Sequence, residues 1–179
     1  MSPPVIHTDL SKLSSPFKFE ATTSDRAANG NESNPANRKV RNHMPASIEL
    51  QRRLRWADSD AAGRLHFPRI FELVEEAESE LVRSIQWPMN RSMGYDFPRV
   101  HVECRFLRVI ELDAQFRLRF AVGKLGRTSI RYDYQVFGTD DELAIEGSMT
   151  VVVLKDGKPA EIPTTLRSSL ASDEVISPA

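Results

Sequence analysis

The chain has 179 residues, 40% hydrophobic and 27% charged, and its 24 basic and 25 acidic side chains leave a formal net charge of −1. That length fits one domain with a sizeable core once a polar N-terminal stretch is set aside, and so balanced a charge offers no bulk field to nucleic acid or an anionic membrane. The lone Cys104 excludes an internal disulfide and a cysteine-rich metal site.

Residues 1–46 are rich in Ser, Pro, Asn and Ala. They read as a polar extension that stays disordered, because it buries too little apolar surface to offset its ordering entropy. It lacks an apolar signal core, its acids Asp9, Glu20, Asp25 and Glu32 disfavour a transit peptide, and no run in the chain approaches the length of a membrane span. A cytoplasmic setting, with Cys104 as a small buried hydrophobe, is the expectation.

Residues 47–171 read as the folded domain. Ile48 to Trp56 is expected to be a strand, and Pro68 suits the first turn of a helix. From there Ile70, Leu73, Val74, Ala77, Leu81 and Ile85 recur at helical spacing, while Glu72, Glu75, Glu76 and Glu80 cover the other side. Trp87 to Gly94 breaks the period. Four runs then alternate as strands: Val100 to Phe106, Phe116 to Val122, Ile130 to Val136, and Leu143 to Leu154, the last ending at an Asp156-Gly157 turn. Residues 172–179 read as a flexible tail. One long helix ahead of four consecutive strands implies an α+β fold, a bent five-stranded antiparallel sheet wrapped around the helix.

The chemistry concentrates between the first strand and the helix, at Asp58-Ser59-Asp60-Ala61-Ala62-Gly63. Spacing alone does not choose between Asp58 and Asp60 as a working carboxylate, and either suits a turn cap. Gly63 lets the chain reverse. Backbone N–H groups near Phe67 and Arg69 are free to face a carbonyl oxygen, whereas Pro68 donates nothing. A carboxylate beside such donors serves acyl transfer by direct attack or by activating water. Thioesters suit it, since a thiolate leaves without much protonation.

His66 fits a substrate contact, a base or a plain turn residue, and Glu75 and Glu76 read as solvated helix residues. His7, His43, His66 and His101 show no metal-ligand spacing. The turn Lys124-Leu125-Gly126-Arg127-Thr128-Ser129 suits a phosphate or a pantetheine amide, or an ordinary charged hairpin. Trp56, Phe67, Trp87 and Tyr95 read as acyl-pocket lining or as packing.

Four segments, Trp56 to Gly63, Phe71 to Ala77, Val102 to Arg108 and Leu125 to Ser129, together resemble the acyl-CoA thioesterases of the hotdog fold over about Ile48 to Leu170. The resemblance is in particular to the group containing 4-hydroxybenzoyl-CoA thioesterase and the short-chain acyl-CoA thioesterases associated with bacterial envelope complexes. The resemblance implies that Asp60 is the catalytic carboxylate, that Asp58 is structural and that the Phe67 backbone N–H holds the oxyanion. It also implies substrate contacts from Gly63, His66, Arg127, Thr128 and Ser129, no cofactor or metal, and a homodimer joined edge to edge or a dimer of such dimers. Arg69 stands where many relatives carry Asn, and Ile70 where they carry Tyr, so Arg69 is expected to meet a polar acyl group or to alter water placement. Neither the acyl group nor the choice of CoA over a carrier-protein thioester is legible. The competing readings are a non-catalytic acyl-CoA or protein-binding hotdog module and, further off, a hydroxyacyl dehydratase, whose Gly and Pro run before the helix is missing here.

Overall fold

In the computed structural model, which describes residues 46–88, 93–171 and 175–176, the chain runs through eleven named elements among the described residues. They are β1 (Ser47–Arg53), α1 (Arg69–Ser84), β2 (Tyr95–Asp96), β3 (Arg99–Phe106), β4 (Gln115–Leu125), β5 (Ser129–Phe137), β6 (Leu143–Val152), β7 (Leu154–Lys155), β8 (Lys158–Pro159), α2 (Thr164–Leu170) and β9 (Val175–Ile176). Apart from Ala46, the N-terminal extension lies outside the described residues, as do 172–174 and 177–179 of the C-terminal segment.

The apolar stripe of α1 does what its spacing predicts. Ile70, Val74, Ala77, Leu81 and Val82 are buried, and each of them other than Ala77 contributes roughly 1.5–3 kcal/mol of hydrophobic stabilisation. Pro68 caps the helix start with helical dihedrals of φ −69° and ψ −25°, a geometry its ring favours and at a position where no N–H is needed. At the other end the Gln86 N–H donates to Arg83 O and the Trp87 N–H to Val82 O, with Gln86 in the left-handed region at φ +55°. That pair of bonds is a Schellman stop.

The main sheet has the order β3-β6-β5-β4-β1-β9. Its first five members pair antiparallel, giving the expected five-stranded sheet packed against one long helix. The face towards α1 carries Ile48 and Leu50 from β1, Leu118 and Phe120 from β4, Ile130, Tyr132, Tyr134 and Val136 from β5, and Ile145, Met149 and Val151 from β6, all buried. Gly147 interrupts this face for a steric reason. The Tyr134 hydroxyl crosses it to donate to Glu103 O at 2.8 Å, so a Cβ at 147 would run into both groups.

Two features differ from the sequence reading, and a third is as expected but belongs to a second sheet. The first strand stops at Arg53 rather than Trp56, because Leu54 turns to donate to Ala114 O at 2.9 Å and Trp56–Asp58 wind into one 3-10 turn. Val175–Ile176, within the segment read as a tail, pair in parallel with β1. The expected Asp156-Gly157 turn, with φ +49° and +76°, joins β7 to β8, and β7 pairs on its other side with β2 in a separate small sheet.

Candidate active site

Asp58 to His66 form a small hairpin. The Asp60 N–H donates to Arg64 O at 2.7 Å, the Gly63 N–H to Asp60 O at 3.0 Å, and the His66 N–H to Asp58 O at 3.0 Å, with Ser59 bridged to Leu65. The loop Ala61-Ala62-Gly63 has the pattern of a turn closed by one left-handed residue, and Gly63, at φ +72°, supplies it. The Asp60 Oδ1 accepts from the Ala62 N–H at 2.8 Å and the Arg64 N–H at 3.1 Å. Asp60 therefore does cap its turn, yet no cation among the described residues pairs with its carboxylate. On the far side the hairpin is tied to residues 110–112, through Leu65 N–H to Ile110 O at 2.9 Å and Leu112 N–H to Gly63 O at 2.8 Å.

Asp58 is different in every respect. Its side chain is buried, and both oxygens are engaged: Oδ2 by the Arg55 Nε at 2.9 Å, and Oδ1 by the Arg69 Nε at 3.0 Å together with the Arg69 Nη2. The Arg69 guanidinium holds this carboxyl below the usual carboxylate range and outweighs the opposing effect of burial, with Arg55 adding to it. Arg69 also binds Glu72 through Nη1. The side chain expected to meet the acyl group is thus held by two carboxylates of its own chain.

At the helix start the Arg69 N–H donates to His66 O at 2.8 Å and the Phe71 N–H to Pro68 O at 3.1 Å. Between them, the Phe67 N–H finds no acceptor among the described residues. The Phe67 ring is 63% exposed and meets the exposed His66 ring edge-on, with centroids 5.6 Å apart. Trp56 is 78% exposed, whereas Trp87 and Tyr95 pack against one another and the core. Neither of two surface clefts, one along Arg52 to Asp58 and one between 108–115 and 138–144, is lined by Asp60 or Phe67.

The Gly126–Ser129 turn lies elsewhere. It closes the far end of β4, with the Gly126 N–H donating to Ser129 O at 2.8 Å, Arg127 paired to Glu161 at 3.1 Å, and Thr128 O accepting from the Val153 N–H. The Asp58–His66 hairpin sits near the start of the same eleven-residue strand, roughly 30 Å away at about 3.3 Å per residue. Within one chain, Asp60 and Arg127 do not meet.

One charged group was not singled out from the sequence. Glu78 is buried on α1 and paired to Arg99 at 2.5 Å, with Glu75 on the same arginine at 3.2 Å. Helical phase could have found it, since Glu78 follows Val74 by four residues and precedes Leu81 by three. Burial pushes its carboxyl above the ordinary value. No group of three or more His, Cys, Asp or Glu among the described residues is arranged to hold a metal ion.

Residues 62–145 match the model of the thioesterase superfamily. A putative esterase from Aquifex aeolicus is 29% identical over 115 residues, covering 63% of this chain and 89% of its own. The solved structure of a hypothetical protein from Aquifex aeolicus superposes with a TM-score of 0.64 at 26% identity, over 68% of this chain and 98% of that one. The chain is therefore similar to the thioesterases of the hotdog fold. A 1,4-dihydroxy-2-naphthoyl-CoA thioesterase from Synechocystis shares the fold with a TM-score of 0.65 at 16% identity, over 69% of this chain and 95% of that one. This likeness supports a thioesterase-type hydrolase activity in general. No helix among the described residues is long and apolar enough to cross a membrane.

Proposed function

We propose that the protein hydrolyses an acyl-CoA thioester to the free acid and CoA, with Asp60 as the catalytic carboxylate and the Phe67 N–H as an oxyanion donor. The observation that carries this reading is the state of those two groups. Asp60 is oriented by two backbone N–H bonds on one oxygen, and the Phe67 N–H has no acceptor among the described residues although the residues around it are hydrogen-bonded. The uncommitted Asp60 Oδ2 either attacks the thioester carbonyl carbon or takes a proton from the water that does. The carbonyl oxygen gains charge as the tetrahedral intermediate forms, and a preorganised N–H stabilises it there. Collapse breaks the C–S bond and CoA leaves as thiolate. Gly63 and His66 border this position, and the acyl-CoA naming of family structures supports the choice of substrate class.

The same reading needs two copies of the chain. Arg127, Thr128 and Ser129 serve the CoA moiety only if they come from a partner, and the β3 edge, paired on one side only, is the place for a homodimer joined edge to edge. Thiol release from aromatic, short-chain and long-chain acyl-CoAs tests the proposal. Wild type is expected to turn over part of the panel, and Asp60→Asn, with an unchanged circular dichroism spectrum, to lose roughly 100-fold or more in kcat. Undiminished turnover by Asp60→Asn would remove the mechanism.

A further inference from the structure

Asp58 holds the segment around Phe67 at two points. Its main-chain oxygen accepts from the His66 N–H at 3.0 Å, on one side of Phe67. Its side chain takes the Arg69 guanidinium on the other side, at 3.0 Å for Nε and through Nη2 as well. The same residue opens the hairpin whose next turn carries Asp60, two positions on, and Arg55 closes its second oxygen at 2.9 Å. Carboxylate and oxyanion donor thus sit on two pieces of chain with one common anchor.

From this arrangement we infer that Arg69 is a positioning residue, an ion-paired strut from the first turn of α1 to Asp58 that sets the Phe67 N–H relative to the Asp60 carboxylate, and not a contact to the acyl group. The inference rests on the proposed thioester hydrolysis. The donor geometry favours it. A guanidinium binding Asp58 through Nε and Nη2 and Glu72 through Nη1 has its fork committed along a fixed direction, and a planar, bidentate grip fixes orientation in a way a lysine ammonium does not. Misplacement of a reacting group by about 1 Å is enough to cost on the order of 100-fold in rate, so a strut at this point acts on kcat.

Arg69→Met, Arg69→Lys, Asp58→Asn and the double variant Asp58→Asn with Arg69→Met are compared with wild type on neutral and on anionic or hydroxylated acyl-CoAs. Arg69→Met is expected to lower kcat roughly tenfold to 100-fold by the same factor for every acyl group, with KM little changed. Arg69→Lys should fall between it and wild type. Because the two residues act as one unit, the double variant should lose no more than the worse single one. A loss confined to KM, or to polar acyl groups, would overturn the inference and restore Arg69 to the substrate; so would additive losses in the double variant. Should Arg69→Met fail to melt cooperatively, a wild-type kcat in Arg69→Lys would assign Arg69 to stability alone and overturn it equally, while an acyl-independent fall of about threefold or more would support it. Absence of turnover in wild type is a different result, which overturns the hydrolase reading itself and this inference with it; turnover that depends on Asp60 but not on Arg69 removes only the strut.

Discussion

Asp58 and Glu78 are both buried carboxylates facing arginine, but the balance of burial and pairing differs between them. Asp58 is gripped by two guanidiniums, those of Arg69 and Arg55, and its folded pKa lies below the ordinary 3.8. Its contribution to stability is therefore complete above that value and fades as pH falls through the lower, folded one. Glu78 shares Arg99 with Glu75 and faces Tyr132, and burial leaves its folded pKa above the ordinary 4.5. Its ionisation therefore costs stability above the folded pKa, and the cost disappears once pH has dropped below the unfolded value. Melts at several pH values should separate the two. Asp58→Asn is expected to be less stable at pH 7 by about 2 kcal/mol, the order of a charged hydrogen-bonded pair, with the gap narrowing only below pH 3.8. Glu78→Gln keeps an acceptor for Arg99 and is expected to melt higher than wild type at pH 7 and level with it at pH 4. Equal melting of Glu78→Gln and wild type at pH 7 would show that Arg99 fully offsets the burial.

The elements carry their own strain, most visibly where α1 stops. Gln86 takes φ +55° in a position that glycine fills in most Schellman stops, and an L side chain in the left-handed region costs roughly 1 kcal/mol or more. Its side chain is exposed, so nothing is lost by removing it. Gln86→Gly should raise stability by about 1 kcal/mol in urea unfolding without a change in the m-value; a neutral or destabilising result would mean that the flexibility glycine adds to the unfolded chain outweighs the relief. The stop at Gln86 also shows the limit of sequence reading at this scale. The helix itself was legible from its apolar stripe, and the strands from their alternation, because both signals repeat over three or more turns or pleats. Two-residue strands such as β2, β7 and β9 are too short to have a period. At the site, Gly63 after Asp60 signalled a turn through backbone chemistry that is local. The grip of Arg69 on Asp58 spans eleven residues and depends on how the hairpin meets the helix, so no local pattern announces it, and the sequence by itself offers Arg69 only a polar acyl group or a part in water placement.

For the molecule as a whole, the open question is what covers β3. It is the outermost strand of the main sheet among the described residues, with β6 on one side only. Val102, Cys104 and Phe106 stand opposite Met149, Gly147 and Ile145, on the face that α1 covers elsewhere, yet Val102 is 42% exposed and Phe106 45%. An unpaired edge flanked by apolar side chains is a template for another strand. The proposed two-fold pairing of β3 with its copy would satisfy the edge hydrogen bonds and cover these side chains. Val102→Lys places a charge in that junction, where lysine is a common device against edge pairing. It should convert a dimer of wild type to monomers in sedimentation velocity, keep the far-ultraviolet circular dichroism spectrum, and lose most of kcat/KM for acyl-CoA. A wild-type chain that sediments as a monomer with full turnover would show that one copy carries a complete site and would release Arg127, Thr128 and Ser129 from any part in binding.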